Sequence, residues 1–162
     1  MLDGIHKIHL IGIGGSGMRA IANILIQKGY DVSGSDVAES AVISKFREMG
    51  ATVHIGHNKE YVNGVDAVVR STAIREDNPE IVAAKEQGIT ILHRSDIVKA
   101  VLDVTDGIAV AGAHGKTSTT SMIGQILVEA DADPTVIIGG EVDYLKGSSC
   151  LGKGHFSVVE AD

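Results

Sequence analysis

Cysteine is almost absent from this sequence, since Cys150 is the only one among 162 residues. A single cysteine cannot form a disulfide within the chain, and it cannot supply the thiolates of a cysteine-based zinc site. This usage fits a reducing compartment. We interpret Cys150 as an unreactive thiol.

Long apolar runs and clusters of basic residues are also missing. No run approaches the roughly 18–20 apolar residues of a membrane span, and the N-terminus lacks a basic segment followed by an apolar signal stretch. The formal net charge is −7, whereas nucleic-acid and anionic-membrane surfaces rely on clustered Lys and Arg. We therefore expect a cytoplasmic protein with no nucleic-acid partner and no membrane partner.

Proline is scarce, with 2 residues against 20 glycines, and short apolar runs alternate with segments of helical periodicity. This alternation predicts βαβ units, which form a Rossmann-like parallel sheet in the α/β class. The last predicted helix should turn Met122, Ile123, Ile126, Leu127 and Ala130 inward, and residues 147–154 read as a flexible loop. Strands are predicted at 7–11, 31–34, 51–55, 65–70, 89–92, 107–111, 135–138 and 156–160.

A polar segment at 103–106 divides the predicted elements into two groups. We expect residues 1–103 to form a complete doubly wound domain and residues 107–162 to form an incomplete second domain. Three strands and one helix are too few to cover a parallel sheet on both faces. The exposed edges of such a segment favour self-association.

The first motif, residues 12–17, fits the pattern G-x-G-x-x-G between a predicted strand and a predicted helix. In this context Gly12 permits a tight turn, Gly14 lets a diphosphate approach the backbone, and Gly17 lets the helix pack closely on the strand. The motif predicts a nucleotide diphosphate site at the start of the first helix.

Asp36 follows Gly17 by 19 residues, at the end of the second predicted strand. An acid at this place can accept hydrogen bonds from sugar hydroxyls, which by itself suggests NAD. It can equally be a solvated aspartate of the turn 33–36. Both interpretations stay open at this point.

Polar residues also follow the other predicted strands of the first domain. His57 follows the third strand, Ser71 and Thr72 follow the fourth, and Arg94 follows the fifth. Open α/β sheets bind ligands at this carboxyl edge. A metal site at His54 and His57 is disfavoured because no third ligand is spaced to join them.

The second motif is the loop 111–120, which again lies between a predicted strand and an amphipathic helix. Backbone N–H groups from Gly115 onward can bind phosphate oxygens, Lys116 can contact the β and γ phosphates, and the Thr117 hydroxyl can bind Mg²⁺. The loop is shorter than the usual P-loop, whose first glycine would fall at Val110. Glu160 and Asp162 lie at the carboxyl end of the last predicted strand, where an acid beside a phosphate loop can hold Mg²⁺.

Together these motifs resemble those of the Mur ligases over the whole chain. That family usually has Thr-His-Gly-Lys-Thr-Thr in its phosphate loop, where this chain has Ala113 and Ser118. Both departures are mild, because Ser118 keeps a hydroxyl and Ala113 can act through its backbone. The segments that carry the resemblance are 9–18, 32–36, 56–57, 71–74, 78–80, 93–94, 111–120 and 160–162.

The resemblance implies an enzyme of peptidoglycan synthesis, and hence of cell-wall biogenesis, cell shape and cell division. Such an enzyme uses ATP and Mg²⁺ to join L-alanine to the lactyl carboxylate of UDP-N-acetylmuramate through an acyl phosphate. Lys116 and Glu160 would be catalytic, and Thr117 and Glu160 would bind the metal. The implied ATP-binding residues are Gly112, Ala113, His114, Gly115, Lys116, Thr117 and Ser118. The implied UDP-sugar-binding residues are Gly12, Gly14, Gly15, Ser16, Gly17, Met18, Asp36, His57, Ser71, Thr72, Ala73 and Arg94.

Two other functions are compatible with parts of the sequence. An NAD-dependent dehydrogenase would explain the glycine turn and Asp36, but it leaves residues 112–120 unexplained. A non-enzymatic nucleotide-binding module would explain a chain that lacks the family's third, amino-acid-binding domain. We accordingly expect these 162 residues alone to bind the UDP-sugar without turnover.

Overall fold

The computed structural model describes residues 1–161, which divide into two compact units. The first unit comprises residues 2–94, and the second comprises Met1 with the residues from Ser95 onward. The division lies ahead of the polar segment 103–106, where we predict the domain boundary. Asp162, the second acid of the terminal motif, lies outside the described residues.

The first unit is built around a parallel sheet. Its strands are β1 (Lys7–Ile11), β2 (Asp31–Asp36), β3 (Thr52–Ile55), β4 (Ala67–Arg70) and β5 (Thr90–His93). They form one five-stranded sheet in the order β3-β2-β1-β4-β5, and every neighbouring pair is parallel. All five strands predicted for residues 1–103 are present, and the Rossmann-like α/β fold is confirmed.

Helices connect these strands and cover the sheet. They are α1 (Ser16–Gln27), α2 (Ala41–Glu48) and α3 (Pro79–Glu86), with a 3₁₀ turn at Lys59–Val62. Right-handed crossovers in this strand order place α1 and α2 on one face and the 3₁₀ turn and α3 on the other. On the second face Ile11 and Val68 pack with Val62 and Ile81 in one buried cluster.

Side-chain caps fix where two of these helices begin. The Ser40 hydroxyl accepts a hydrogen bond from the Ile43 N–H at 3.3 Å at the start of α2. At the start of α3 the Asn78 side-chain oxygen accepts from the Glu80 N–H at 2.9 Å, and Pro79 occupies the first helical position. Proline is favoured there because its missing N–H would have had no partner inside the helix. The sequence Asn-Pro therefore places Glu80 in the first turn of α3.

The second unit contains a mixed sheet. Its elements are α4 (Arg94–Leu102), β6 (Asp106–Val110), α5 (Lys116–Glu129), β7 (Thr135–Val142), β8 (Gly147–Cys150) and β9 (Phe156–Glu160). The strand order is β6-β9-β7-β8; β9 is parallel to β6 and β7, whereas β8 is antiparallel to β7. Helix α5 packs against β7 and β9. No helix within residues 1–161 has the length and apolar character needed to cross a bilayer.

The prediction of a flexible loop at 147–154 is wrong for its first half, because 147–150 form β8. Ser149 pairs with Ile137 and Cys150 with Val136, and Ser148 and Ser149 are buried. A run of glycine, serine and cysteine has no apolar alternation, so its sequence does not distinguish a strand from a loop. Residues 147–150 form a strand because they pair with β7. Strand β7 extends to Val142.

The predicted inward face of α5 is wrong for Met122, Ile126 and Ala130, which are exposed, whereas Ile123 and Leu127 are half-buried. Met122 is 59% exposed and Ile126 is 66% exposed, whereas Thr120 and Gly124 are the buried residues of this helix. A Cβ atom on Gly124 would lie 2.5 Å from the Tyr144 hydroxyl oxygen. The helix thus approaches β7 and Tyr144 through its smallest residue. Apolar periodicity alone assigns the core to the larger side chains and therefore misses this face.

Candidate functional site

The glycine turn of the first unit lies at the carboxyl end of β1. Gly12 has a φ of +73°, in the left-handed region that favours glycine. The N–H groups of Gly12 and Ile13 donate to the Ser35 carbonyl oxygen at 2.8 and 3.1 Å. Gly15 then caps α1 and Ser16 begins it. The turn thus holds a helix N-terminus, which attracts anions, at the edge where we expect the ligand.

Asp36 closes this turn through the backbone. Its Oδ2 accepts from the Gly14 N–H at 2.8 Å, and its Oδ1 accepts from the Val37 N–H at 2.8 Å. A Cβ atom on Gly14 would lie 2.9 Å from Asp36 Oδ2. A side chain at position 14 would therefore crowd this carboxylate, whatever else approaches the loop. The carboxylate holds the loop in shape, as an aspartate of the turn does.

Arg94 lies against the start of α1. A Cβ atom on Gly17 would lie 2.9 Å from Arg94 Nη1, so the guanidinium group covers the position that glycine leaves open. Guanidinium groups bind phosphate oxygens through paired hydrogen bonds. The structure thus adds a fixed cation to the helix N-terminus at the glycine turn.

The remaining residues predicted to contact the sugar nucleotide lie in two different environments. Met18 is 2% exposed, and its N–H donates to the Gly15 carbonyl oxygen at 3.0 Å, so this residue belongs to the core. Thr72 and Ala73 are exposed and Ser71 is half-buried in the loop after β4. In the same loop, Ile74 Cδ1 comes within 3.4 Å of the place where a Cβ atom of Gly12 would stand.

His57, in the loop after β3, belongs to a polar cluster that it forms with side chains of β1, β2 and α3. Glu80 Oε1 lies 3.1 Å from His57 Nδ1 and accepts from the Asn58 N–H at 3.2 Å. Glu80 Oε2 lies 3.1 Å from His9 Nε2 and accepts from the Ser35 hydroxyl at 2.7 Å. The side chains of His9 and Glu80 are completely buried, whereas that of His57 is 22% exposed.

Four hydrogen bonds to one carboxylate use about all the lone pairs that it has. Burial alone would raise the pKa of Glu80 and is the largest single influence. The hydrogen bonds from His9 and Ser35, together with the charge of His9, outweigh it and hold the pKa below its ordinary value. Glu80 is therefore ionised at neutral pH. Removing one partner from a buried charged pair typically costs about 3–5 kcal/mol, so this cluster is a strong constraint on the sheet edge.

Glu80 and His9 are not among the site residues that were predicted from the sequence. One signal was present: His9 interrupts the apolar run 8–11, and a buried polar side chain needs a partner. The partner itself lies 71 residues away. Nearby, His54 stacks on Tyr61 with ring centroids 4.0 Å apart, and burial, followed by the charge of His9, lowers the pKa of His54.

The phosphate loop of the second unit surrounds an open cavity of about 220 Å³. Gly115 caps α5 with a φ of +78°, a left-handed conformation that favours glycine. Lys116 Nζ donates to the Gly112 carbonyl oxygen at 3.0 Å, which folds the side chain over the loop. Residues 113–118 and Glu160 line the cavity. Every residue predicted to bind ATP therefore lies in this cavity or, for Gly112, directly beside it.

Thr117 and Glu160 meet in this cavity. The Thr117 hydroxyl lies 3.1 Å from each carboxylate oxygen of Glu160, and Oε2 also accepts from the Gly139 N–H at 2.7 Å. Neighbouring ligands of an octahedral Mg²⁺ ion lie about 3 Å apart, so this pair fits the ion. No group of three or more His, Cys, Asp or Glu side chains within residues 1–161 is arranged to hold a metal. Magnesium bound here would complete its coordination with water and phosphate oxygens, as it usually does in phosphate-transfer sites.

Comparison with known proteins places these features in a family. A model described as "Mur ligase family, catalytic domain" matches residues 7–104. The chain is 46% identical over 162 residues to the UDP-N-acetylmuramate--L-alanine ligase of Solidesulfovibrio magneticus. All of this chain is covered in that match, but it spans only 35% of the relative's length.

Solved structures agree with this comparison. The UDP-N-acetylmuramate-alanine ligase of Thermotoga maritima is 35% identical with a TM-score of 0.88, covering 95% of this chain and 36% of that one. A UDP-N-acetylmuramate:L-alanyl-gamma-D-glutamyl-meso-diaminopimelate ligase from Neisseria meningitides is 27% identical with a TM-score of 0.87, covering 98% and 53%.

Proposed function

The chain belongs to the Mur ligase family, and we propose that the protein containing it uses ATP to join L-alanine to UDP-N-acetylmuramate. This reaction would serve peptidoglycan precursor synthesis in the cytoplasm. The choice of L-alanine rests on the names of the sequence relatives, such as the ligase of Solidesulfovibrio magneticus. Because this chain spans about a third of their length, the activity is proposed for the whole protein. The 162-residue chain by itself would bind the UDP-sugar without turnover.

The first unit is the proposed site for UDP-N-acetylmuramate. The names of the two structural relatives share this substrate and differ in the group joined to it. Both relatives cover nearly the whole of this chain, so the choice of the first unit rests on its own geometry. Within it, the α1 N-terminus and Arg94 supply the positive field for a diphosphate, while His57 and the loop 71–73 border the same sheet edge.

The second unit is the proposed start of the ATP site. Its N–H groups at the beginning of α5 would bind phosphate oxygens, and Lys116 would turn from the Gly112 carbonyl to the transferring phosphoryl group. Thr117 and Glu160 would hold Mg²⁺, which neutralises developing charge on the phosphates when bound. The observation that carries the proposal is the meeting of Gly115, Lys116, Thr117 and Glu160 around one cavity.

In the proposed reaction the lactyl carboxylate attacks the γ-phosphorus of ATP, which forms an acyl phosphate and releases ADP. The amine of L-alanine then attacks the acyl carbon, and inorganic phosphate leaves from the tetrahedral intermediate as the amide forms. The amine loses a proton in this step. Lys116 stabilises negative charge on the phosphoryl group during the first transfer, where a preorganised cation is most effective.

The alternatives explain less of the molecule. An NAD-dependent dehydrogenase uses the acid after the second strand for a ribose, and the Asp36 carboxylate keeps lone pairs for this beside the two backbone N–H groups that it accepts. The objection to this alternative is that it gives no role to the cavity at 113–118. A purely nucleotide-binding module would explain both loops but not the pairing of Thr117 with Glu160.

The test of the proposed function is an assay of ADP release by the full-length protein. We expect sustained release only when UDP-N-acetylmuramate and L-alanine are both present, and we expect a matching amount of amide product. Sustained ATP hydrolysis by the full-length protein that does not depend on these two substrates would contradict the proposal.

Self-association of the isolated chain is a second consequence. Met122 and Ile126 expose large apolar side chains on one face of α5, and exposed patches of this kind favour association. Sedimentation of the 162-residue chain should show concentration-dependent dimers, which the substitution Ile126→Lys should weaken.

A further inference from the structure

The buried cluster around Glu80 determines which nitrogen of His57 carries a proton. The Ser35 hydroxyl gives its only proton to Glu80 Oε2 at 2.7 Å. Its oxygen can therefore only accept from His57 Nδ1, which lies 3.2 Å away. The second neighbour of Nδ1 is Glu80 Oε1 at 3.1 Å, and an ionised carboxylate also only accepts.

Both neighbours of Nδ1 are thus acceptors, so Nδ1 must carry hydrogen. In a neutral imidazole one nitrogen donates and the other accepts. The other nitrogen of neutral His57, Nε2, is consequently an acceptor. Because the His57 side chain is 22% exposed while Glu80 is fully buried, the ring is the part of the cluster that a ligand can reach.

We propose that Glu80 is a positioning residue for the ligand site: it fixes His57 as the Nδ1–H tautomer, so that Nε2 accepts a hydrogen bond from an N–H or O–H group of the bound ligand. The acceptor Nε2 of His57 at this edge complements the guanidinium group of Arg94, which binds phosphate. His57 then selects for a hydrogen-bond donor on the base or sugar of the nucleotide and does not bind the diphosphate.

This inference rests on the proposed function for the identity of the ligand, but the tautomer can be measured without any ligand. In the 162-residue chain labelled with ¹⁵N-histidine, NMR at about pH 8, well above the ordinary pKa of histidine, should show His57 protonated at Nδ1. In Glu80→Gln the signature should shift toward the Nε2–H tautomer or a mixture. Ser33→Ala is the matched control, because Ser33 touches only His9 in the cluster, and it should leave the His57 signature unchanged.

A binding cycle tests whether Glu80 acts through His57. Titration calorimetry with UDP-N-acetylmuramate should show about tenfold weaker binding for Glu80→Gln, the scale of one hydrogen bond. In the His57→Ala background, Glu80→Gln should cause no further loss of affinity for UDP-N-acetylmuramate.

A modified nucleotide separates the two sources of the donor. UDP methylated at uracil N3 lacks the N–H of the base and keeps the hydroxyls of the sugar. If it binds the unmodified chain more weakly than UDP does, and if this difference disappears in the His57→Ala variant, the donor is on the base. Equal binding of the two nucleotides to the unmodified chain assigns the donor to the sugar.

An Nε2–H tautomer of His57 in the unmodified chain would overturn the inference, as would additive losses in the binding cycle. If UDP-N-acetylmuramate does not bind the unmodified chain, the proposed function fails, and the NMR result still decides whether Glu80 fixes the tautomer.

Discussion

Thr117 and Glu160 are joined across the second unit, with the Thr117 hydroxyl 3.1 Å from both oxygens of the Glu160 carboxylate. One residue lies in the first turn of α5 and the other ends β9, so the contact ties the phosphate loop to the carboxyl edge of the sheet. Parallel α/β sheets place ligands at this edge. The pair therefore marks where a metal ion and the phosphates it binds would lie.

Substitution of Glu160 tests this assignment. In the full-length protein, Glu160→Gln should lower kcat by at least about 100-fold, because stabilisation of transition-state charge by such a group is worth several kcal/mol. The KM for UDP-N-acetylmuramate should be unchanged. Glu129→Gln, at the exposed end of α5, is the matched control and should be neutral. Turnover of Glu160→Gln close to that of the unmodified enzyme would refute a metal-binding role.

Lys116 should be essential for phosphoryl transfer. Lys116→Ala in the full-length protein should reduce ADP formation by several powers of ten, since a cation on the transferring group contributes several kcal/mol. Binding of UDP-N-acetylmuramate should survive, because that site is proposed for the first unit. Lys153→Ala, which removes an exposed lysine from the same unit, should keep full activity. Normal ADP formation by Lys116→Ala would show that the loop is not a phosphate site.

Arg94 should contribute to affinity for the sugar nucleotide. Arg94→Ala should weaken binding of UDP-N-acetylmuramate by roughly 10- to 100-fold, the range expected for a charged hydrogen bond. Arg75→Ala removes a guanidinium that is 82% exposed and should have no effect. Calorimetric titration of both variants gives the comparison. Equal affinities for the two variants would exclude Arg94 from the diphosphate site.

The low pKa of Glu80 predicts a particular loss of stability in acid. Because its folded pKa lies below the ordinary value of 4.5, Glu80 stabilises the folded state above that pH. This contribution is lost as the pH falls through the folded pKa. Between neutral pH and about pH 3, the melting temperature should therefore fall less steeply for Glu80→Gln than for the unmodified chain. Parallel melting curves over this range would show that Glu80 is not linked to folding.

The sequence predicted the central strand of the first sheet well because this strand is covered on both faces. Four of the five residues of β1 are buried, and apart from His9 they form the apolar run expected of a parallel strand. The glycine turn and the phosphate loop were predictable for a related reason, since left-handed backbone at Gly12 and Gly115 favours glycine at those positions. In both cases the residue types within a short segment indicate the conformation of that segment.

For the cluster around Glu80 the polar His9 within β1 was one signal, but it did not identify the partner of that residue. His9, Ser35 and His57 approach Glu80 only after the strands pair, so the contact depends on register and not on any nearby pattern. The prediction of the buried face of α5 was wrong for a similar reason. Gly124 became the contact because Tyr144 packs against it, and a glycine within a helix carries no signal of what it touches.

The measurement that tests the central claim most directly is calorimetric titration of the 162-residue chain with UDP-N-acetylmuramate and, separately, with NAD⁺. The ligase assignment predicts saturable one-to-one binding of UDP-N-acetylmuramate and no binding of NAD⁺. Saturable binding of NAD⁺ with no binding of UDP-N-acetylmuramate would contradict it.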